Sequence, residues 1–101
     1  MKTILVVYTD KFLSKTEIAK TKKYSFNTSA ELKEGDMFSS PSYATKMQVV
    51  KILQNSYKYY NASTGELSDT FNSTSQWEIR TLVIREEEEE VIYGTLLTNI
   101  N

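Results

Sequence analysis

Ser40-Pro41-Ser42-Tyr43-Ala44-Thr45-Lys46-Met47-Gln48-Val49-Val50-Lys51-Ile52-Leu53-Gln54-Asn55-Ser56-Tyr57-Lys58-Tyr59-Tyr60 is the stretch on which the fold turns. Ser40-Pro41 has the form of a helix start, with proline at the first helical position. In a helix over 41–60, Tyr43, Met47, Val50, Leu53, Tyr57 and Tyr60 would line one face and the chain would be α+β. The same residues also read as β, with Met47 to Leu53 a strand buried on both faces and Tyr57 and Tyr59 on the strand after it. Two adjacent Val, an Ile and three Tyr favour the extended form, because branched and aromatic side chains fit a pleated, half-buried surface. The segment is therefore expected to be β, with the helix over 41–60 as the alternative.

The neighbouring sequence adds strands. Leu32-Lys33-Glu34-Gly35-Asp36 is the clearest local signal. Gly35 can take the positive φ of a tight turn, and Asp36 can bond nearby backbone N–H groups. Such a step commonly launches a strand in small β-barrels, here Met37-Phe38-Ser39. Ile4 to Tyr8 is a continuous apolar, β-branched run of the kind that forms a buried strand. Tyr24 and Phe26 alternate with polar residues and share one strand face. Between these runs, Ser14-Lys15-Thr16-Glu17 has the form of a helix start, with Ser14 as cap and Glu17 reaching back. One short helix is expected near 14–22.

Towards the other end, Asn61 to Glu66 is a turn pivoting on Gly65, and Leu67 to Gln76 is a polar loop. From Trp77 to Ile84 the pattern predicts a strand with Trp77, Ile79, Thr81 and Val83 on one face, and Trp77 is expected in the core. Glu86-Glu87-Glu88-Glu89-Glu90 repel one another and prefer water, so they predict a solvated hairpin tip or loop before a last strand at Val91 to Leu97. The sum is a mainly β fold of about six strands with one short helix, as a small SH3-like barrel or a two-layer β fold. Its 101 residues fit a single domain. The core is modest, so homo-oligomerisation would add useful burial.

Composition narrows the chemistry. The chain has no Cys and no His, which removes disulfides, zinc–thiolate sites and the commonest general base together. Catalysis by Ser–His–Asp or Cys–His groups within one chain is excluded, and no catalytic residue, metal or cofactor is assigned. The apolar run at the N-terminus is too short for a signal-peptide core, and no stretch approaches the roughly 20 apolar residues that span a bilayer. A cytoplasmic setting without membrane partners is expected. Sequons at Asn27, Asn61 and Asn72 are read as chance in a chain rich in Asn, Ser and Thr.

Charge is uneven: residues 1–60 carry +5 and residues 61–101 carry −6. This marks either two binding faces of opposite sign or two halves that attract each other, and the second reading is the plainer one.

The order of Lys23-Tyr24-Ser25-Phe26, Leu32 to Asp36, Met47 to Ile52 and the strand at Trp77 resembles that of small tailed-bacteriophage proteins. Those proteins are similar to compact SH3-like or primosomal-helicase-type β-barrels. The resemblance covers Lys23 to Leu53 and the strand at Trp77, roughly half of the chain. Ser39 to Tyr43 departs from it, standing where an apolar strand is usual, and the acidic run lies outside it. It implies a barrel and a phage source, and carries over no site residue.

Tyr57, Lys58, Tyr59 and Tyr60, with Lys46 and Lys51 near them in sequence, form the candidate binding group. Aromatic rings stack on bases and Lys neutralises phosphate, so nucleic acid or a nucleotide is a candidate ligand. The bland alternative is that these Tyr are ordinary half-buried strand residues, and the sequence pI near 5.5 supports it. Glu86 to Glu90 form a candidate acidic surface for a basic partner, with a solvated loop as the simpler reading. The function expected first is a non-enzymatic interaction module, a phage accessory or host-takeover protein that binds a host protein. A nucleic-acid-binding barrel comes second and a nucleotide-sequestering anti-defence protein third.

Overall fold

The computed structural model describes residues 1–41, 43–74 and 76–84. The expected loop at Glu86 to Glu90 and the strand at Val91 to Leu97 lie outside the described residues. In chain order the elements are β1 (Lys2–Tyr8), α1 (Lys15–Ala19), β2 (Tyr24–Thr28), β3 (Met37–Ser40), β4 (Tyr43–Leu53), β5 (Tyr59–Asn61), β6 (Leu67–Ser68), β7 (Gln76–Glu78) and β8 (Arg80–Thr81). Among the described residues strands take 45% and helix 6%, so the fold is mainly β. One sheet runs β3-β4-β1-β2-β8 and a smaller one β6-β5-β7.

The deciding segment is β, and the helix over 41–60 is overturned. Residues 43–53 form the longest strand and pair with β1 and β3, both antiparallel. A helix would have buried one stripe of this segment. The strand buries Met47, Gln48 and Val49 in succession, and so uses both of its faces.

An extra residue makes this possible. Val6 pairs with Val49 and Leu5 with Lys51, which leaves Val50 as a bulge. A regular strand would turn Lys51 to the same face as Met47 and Val49. The bulge moves Lys51 to the other face, exposed, and gives the core position to Ile52 opposite Ile4. Ile4, Val6, Phe26, Met47 and Leu82 then form one buried cluster, with Tyr8, Tyr24, Phe38, Tyr43 and Ile52 packed against it.

The opposite face of the sheet is covered by loops held through polar groups. Gln48, 1% exposed, accepts from the Leu13 N–H at 2.7 Å through Oε1 and donates to the Leu13 carbonyl at 3.2 Å through Nε2. That pair pins residues before α1 over Val7. α1 itself begins at the expected capping box of Ser14 and Glu17. Its far end is closed by Lys23, whose Nζ donates to the Ile18 and Thr21 carbonyls.

A second clasp sets the path from β4 to β5. Thr3 Oγ1 donates to Asn27 Oδ1 and accepts from the Tyr57 N–H, while Asn27 Nδ2 donates to the Tyr57 carbonyl at 2.9 Å. Both polar groups of the Tyr57 peptide are thereby satisfied against the large sheet. Asn27 and Asn61 are buried and hydrogen-bonded, which explains their presence without glycosylation.

The turns follow their residues. Gly35 has φ 89° and Gly65 φ 77°, the left-handed region that favours glycine. Asp36 accepts from the Lys33 N–H at 2.8 Å and leads into β3.

The expected single strand from Trp77 to Ile84 is corrected. It is two short strands in different sheets, separated by Ile79, whose N–H donates to the Lys58 carbonyl at 2.9 Å. Alternation breaks there, so Leu82 and Val83 are both buried and Trp77 is 64% exposed rather than core. The large sheet also curls. β3 and β8 are its opposite edges, yet Ser40 Oγ donates to the Val83 carbonyl at 2.6 Å.

Two substitutions test the polar supports. Asn27→Ala would strand the Thr3 hydroxyl and the Tyr57 carbonyl, and Gln48→Met would strand both polar groups of Leu13. Each is expected to cost about 1–3 kcal/mol, read as a lower urea midpoint at unchanged slope.

Candidate functional site

The two sheets face each other across an open cleft of ≈ 320 Å³. That volume is at the lower end of the about 300–1,000 Å³ typical of ligand pockets. One wall comes from the large sheet. Tyr24 and Phe26 project from the same face of β2, as their period-two spacing requires, and Tyr8 and Tyr43 flank them from β1 and β4. The rings of Tyr8 and Tyr24 lie 4.4 Å apart, and Phe26 meets Tyr43 edge-on at 5.5 Å. Such contacts fix each ring by its neighbours and make the wall rigid.

The other wall is the small sheet. Tyr60 on β5 pairs directly with Trp77 on β7, and both rings line the cleft. β7 is an edge strand, and this leaves the Trp77 indole largely open to solvent.

Three cations and one carboxylate complete the lining: Lys22, Lys23, Arg80 and Glu78. Lys22 Nζ sits 5.2 Å from the centre of the Tyr24 ring, where the negative face of the ring attracts it. The Lys23 ammonium is partly committed to the end of α1. Arg80 is exposed and projects from β8 beside Phe26, its register partner on β2.

Tyr8 carries the electrostatic signature of the site. Burial pushes its pKa above the ordinary 10.0, the neighbouring Tyr43 and Tyr24 push it further, and Arg80 acts the other way. At neutral pH the phenol is therefore a hydrogen-bond donor. Among the described residues no cluster of carboxylates is grouped as a metal ion would require.

Of the described residues in the candidate binding group, Tyr60 alone lines the cleft. Tyr59 turns to the opposite side of β5 and packs edge-on against Phe71 at 5.6 Å. The Tyr57 backbone is held in the clasp with Thr3 and Asn27. Lys46, Lys51 and Lys58 are exposed, Lys51 on the face of β4 turned away from the cleft. Glu86 to Glu90 lie outside the described residues. Sequence proximity grouped residues that β-strand alternation separates.

The cleft residues that sequence reasoning missed come from five strands and one connecting loop: Tyr8, Tyr24, Tyr43, Trp77 and Arg80, with Lys22. One signal was legible, the doublet Lys22-Lys23 directly before the alternating Tyr24 and Phe26.

No protein-family model, no curated protein and no solved structure matches this chain.

Replacing Tyr8 by Phe tests the electrostatics of the wall. A phenol whose folded pKa is raised stabilises the protein below the unfolded value near 10, and that contribution is lost as pH rises through the folded value. Tyr8→Phe removes this loss. Its stability relative to the parent is expected to be constant below pH 10.0 and to increase above it, measured by urea unfolding along a pH series.

Proposed function

We propose that this chain is a non-enzymatic binding module, and that the cleft between its two sheets is the binding site. The convergence of aromatic rings from both walls with Lys22, Lys23 and Arg80 carries this reading. Rings bind flat, unsaturated groups by stacking, and the cations bind negative charge. Aromatic cages that bind cationic ligands use rings as well, but among the described residues three cations against one carboxylate disfavour such a ligand. The composition points away from catalysis: without His, and with Glu78 the single carboxylate on the lining among the described residues, these residues offer no acid–base pair suited to neutral pH. A chain free of Cys suits a reducing compartment such as the cytoplasm. Consistent with this, no helix among the described residues is long and apolar enough to cross a membrane.

A protein partner is the second reading. Phe71, 65% exposed, packs on Tyr59 on the far side of the small sheet and offers an apolar contact there. The resemblance to tailed-phage proteins would make that partner a host protein.

Affinity capture from a bacterial lysate, with and without nuclease, tests both readings. Trp77→Ala combined with Arg80→Gln alters only exposed side chains, so folding is expected to be unchanged by circular dichroism. The cleft reading requires the double variant to lose most of what the parent captures. Equal capture by parent and variant would refute it, and nuclease-resistant protein lost instead on Phe71→Ser would favour the second reading.

A further inference from the structure

We infer that the ligand of the cleft is single-stranded nucleic acid, threaded between the two aromatic walls; this rests on the cleft being the binding site. Three features point to a nucleotide chain. First, the stacking rings stand on two walls: Tyr24 on the large sheet, and the Tyr60–Trp77 pair on the small one. A base held between the walls leaves ring surface on Trp77, 64% exposed, for its neighbour. Second, the cations are placed at the stacking positions. Lys22 lies over the Tyr24 ring and Arg80 lines the same cleft as Trp77, so phosphate can be met where bases stack. Third, the cleft is small and open. It cannot enclose a long ligand, but it can hold a segment of a chain that enters and leaves.

Duplex does not fit this chemistry, because its bases present no free faces for stacking. The net charge of −1 is no obstacle, since phosphate responds to the local field and the described lining is cationic. Stacking and phosphate contacts dominate the described lining, and both tolerate any base, so sequence preference is expected to be weak.

Fluorescence anisotropy of a short fluorescein-labelled oligothymidylate, titrated with the full chain, tests the inference. Saturable binding is expected, with log K falling against log salt at a slope of roughly −1.4 to −2.1 for two or three phosphate contacts. Trp77→Ala and Tyr60→Ala are each expected to weaken binding by about 5- to 150-fold. Arg80→Gln should flatten the salt slope by roughly 0.7. Polyphosphate, duplex of the same sequence and thymidine monophosphate serve as competitors. Each should compete poorly. Polyphosphate competing as well as the oligonucleotide would show that charge alone binds and overturn the inference. Monophosphate competing equally would replace the threaded strand with a mononucleotide site and also overturn it. No oligonucleotide binding, while the parent still captures lysate material that the double variant does not, would overturn the ligand and leave the cleft as the binding site.

Discussion

Strand β1 must be covered on both sides. Ile4 and Val6 point one way, Thr3 and Val7 the other, and all four are fully buried. A chain of this size cannot build two thick apolar layers, so the two faces are covered by different means. One receives the curl of the large sheet, with Phe26, Met47 and Leu82. The other receives irregular chain whose backbone polar groups need partners, and the sheet supplies them from Thr3, Asn27 and Gln48. These buried polar residues follow from covering a sheet with loops, because each orphaned N–H or carbonyl there would cost about as much as a lost hydrogen bond.

The cleft follows from the same constraint. Because the Tyr57 peptide is fixed to the outer face, the chain returns as β5 at a set position, and the small sheet is brought opposite Tyr8, Tyr24 and Tyr43. The aromatic side chains of the large sheet thus do two jobs. Their inner portions pad the core cluster, and their remaining surface forms a wall.

Much of this was legible in the chain, and the reason differs by element. Ile4 to Tyr8, Tyr24 to Phe26, the Ser14–Glu17 capping box and the Gly35-Asp36 turn are local signals, and local signals survive folding. The deciding segment read correctly as β because its adjacent Val pair, Ile and Tyr residues suit a pleated surface. Its bulge at Val50 was not legible, since it depends on which residue of β1 stands opposite. Trp77 was misplaced for a related reason. Its alternation with Ile79 is real in the sequence, but the strand breaks between two sheets and the alternation does not carry through. The site was least legible. Tyr57, Tyr59 and Tyr60 look like a cluster in one dimension, whereas of the three only Tyr60 lines the cleft with the rings of β1, β2 and β4.

The contact from Ser40 to Val83 joins the two edges of the curled sheet across 43 residues of chain, through a side chain rather than a ladder. Closing so long a loop sacrifices considerable chain entropy, so this seam gains its strength only after the rest of the core is in place. Opening it would slacken the curl and loosen β8, which meets β2 at Phe26–Arg80 and Asn27–Thr81 and through the Leu82 N–H on the Asn27 carbonyl, and with it the seat of Arg80 near Tyr8. The wall that looks most rigid is thereby tied at its weakest joint, and exchange of the backbone amides near Leu82 would report how often the molecule breathes there.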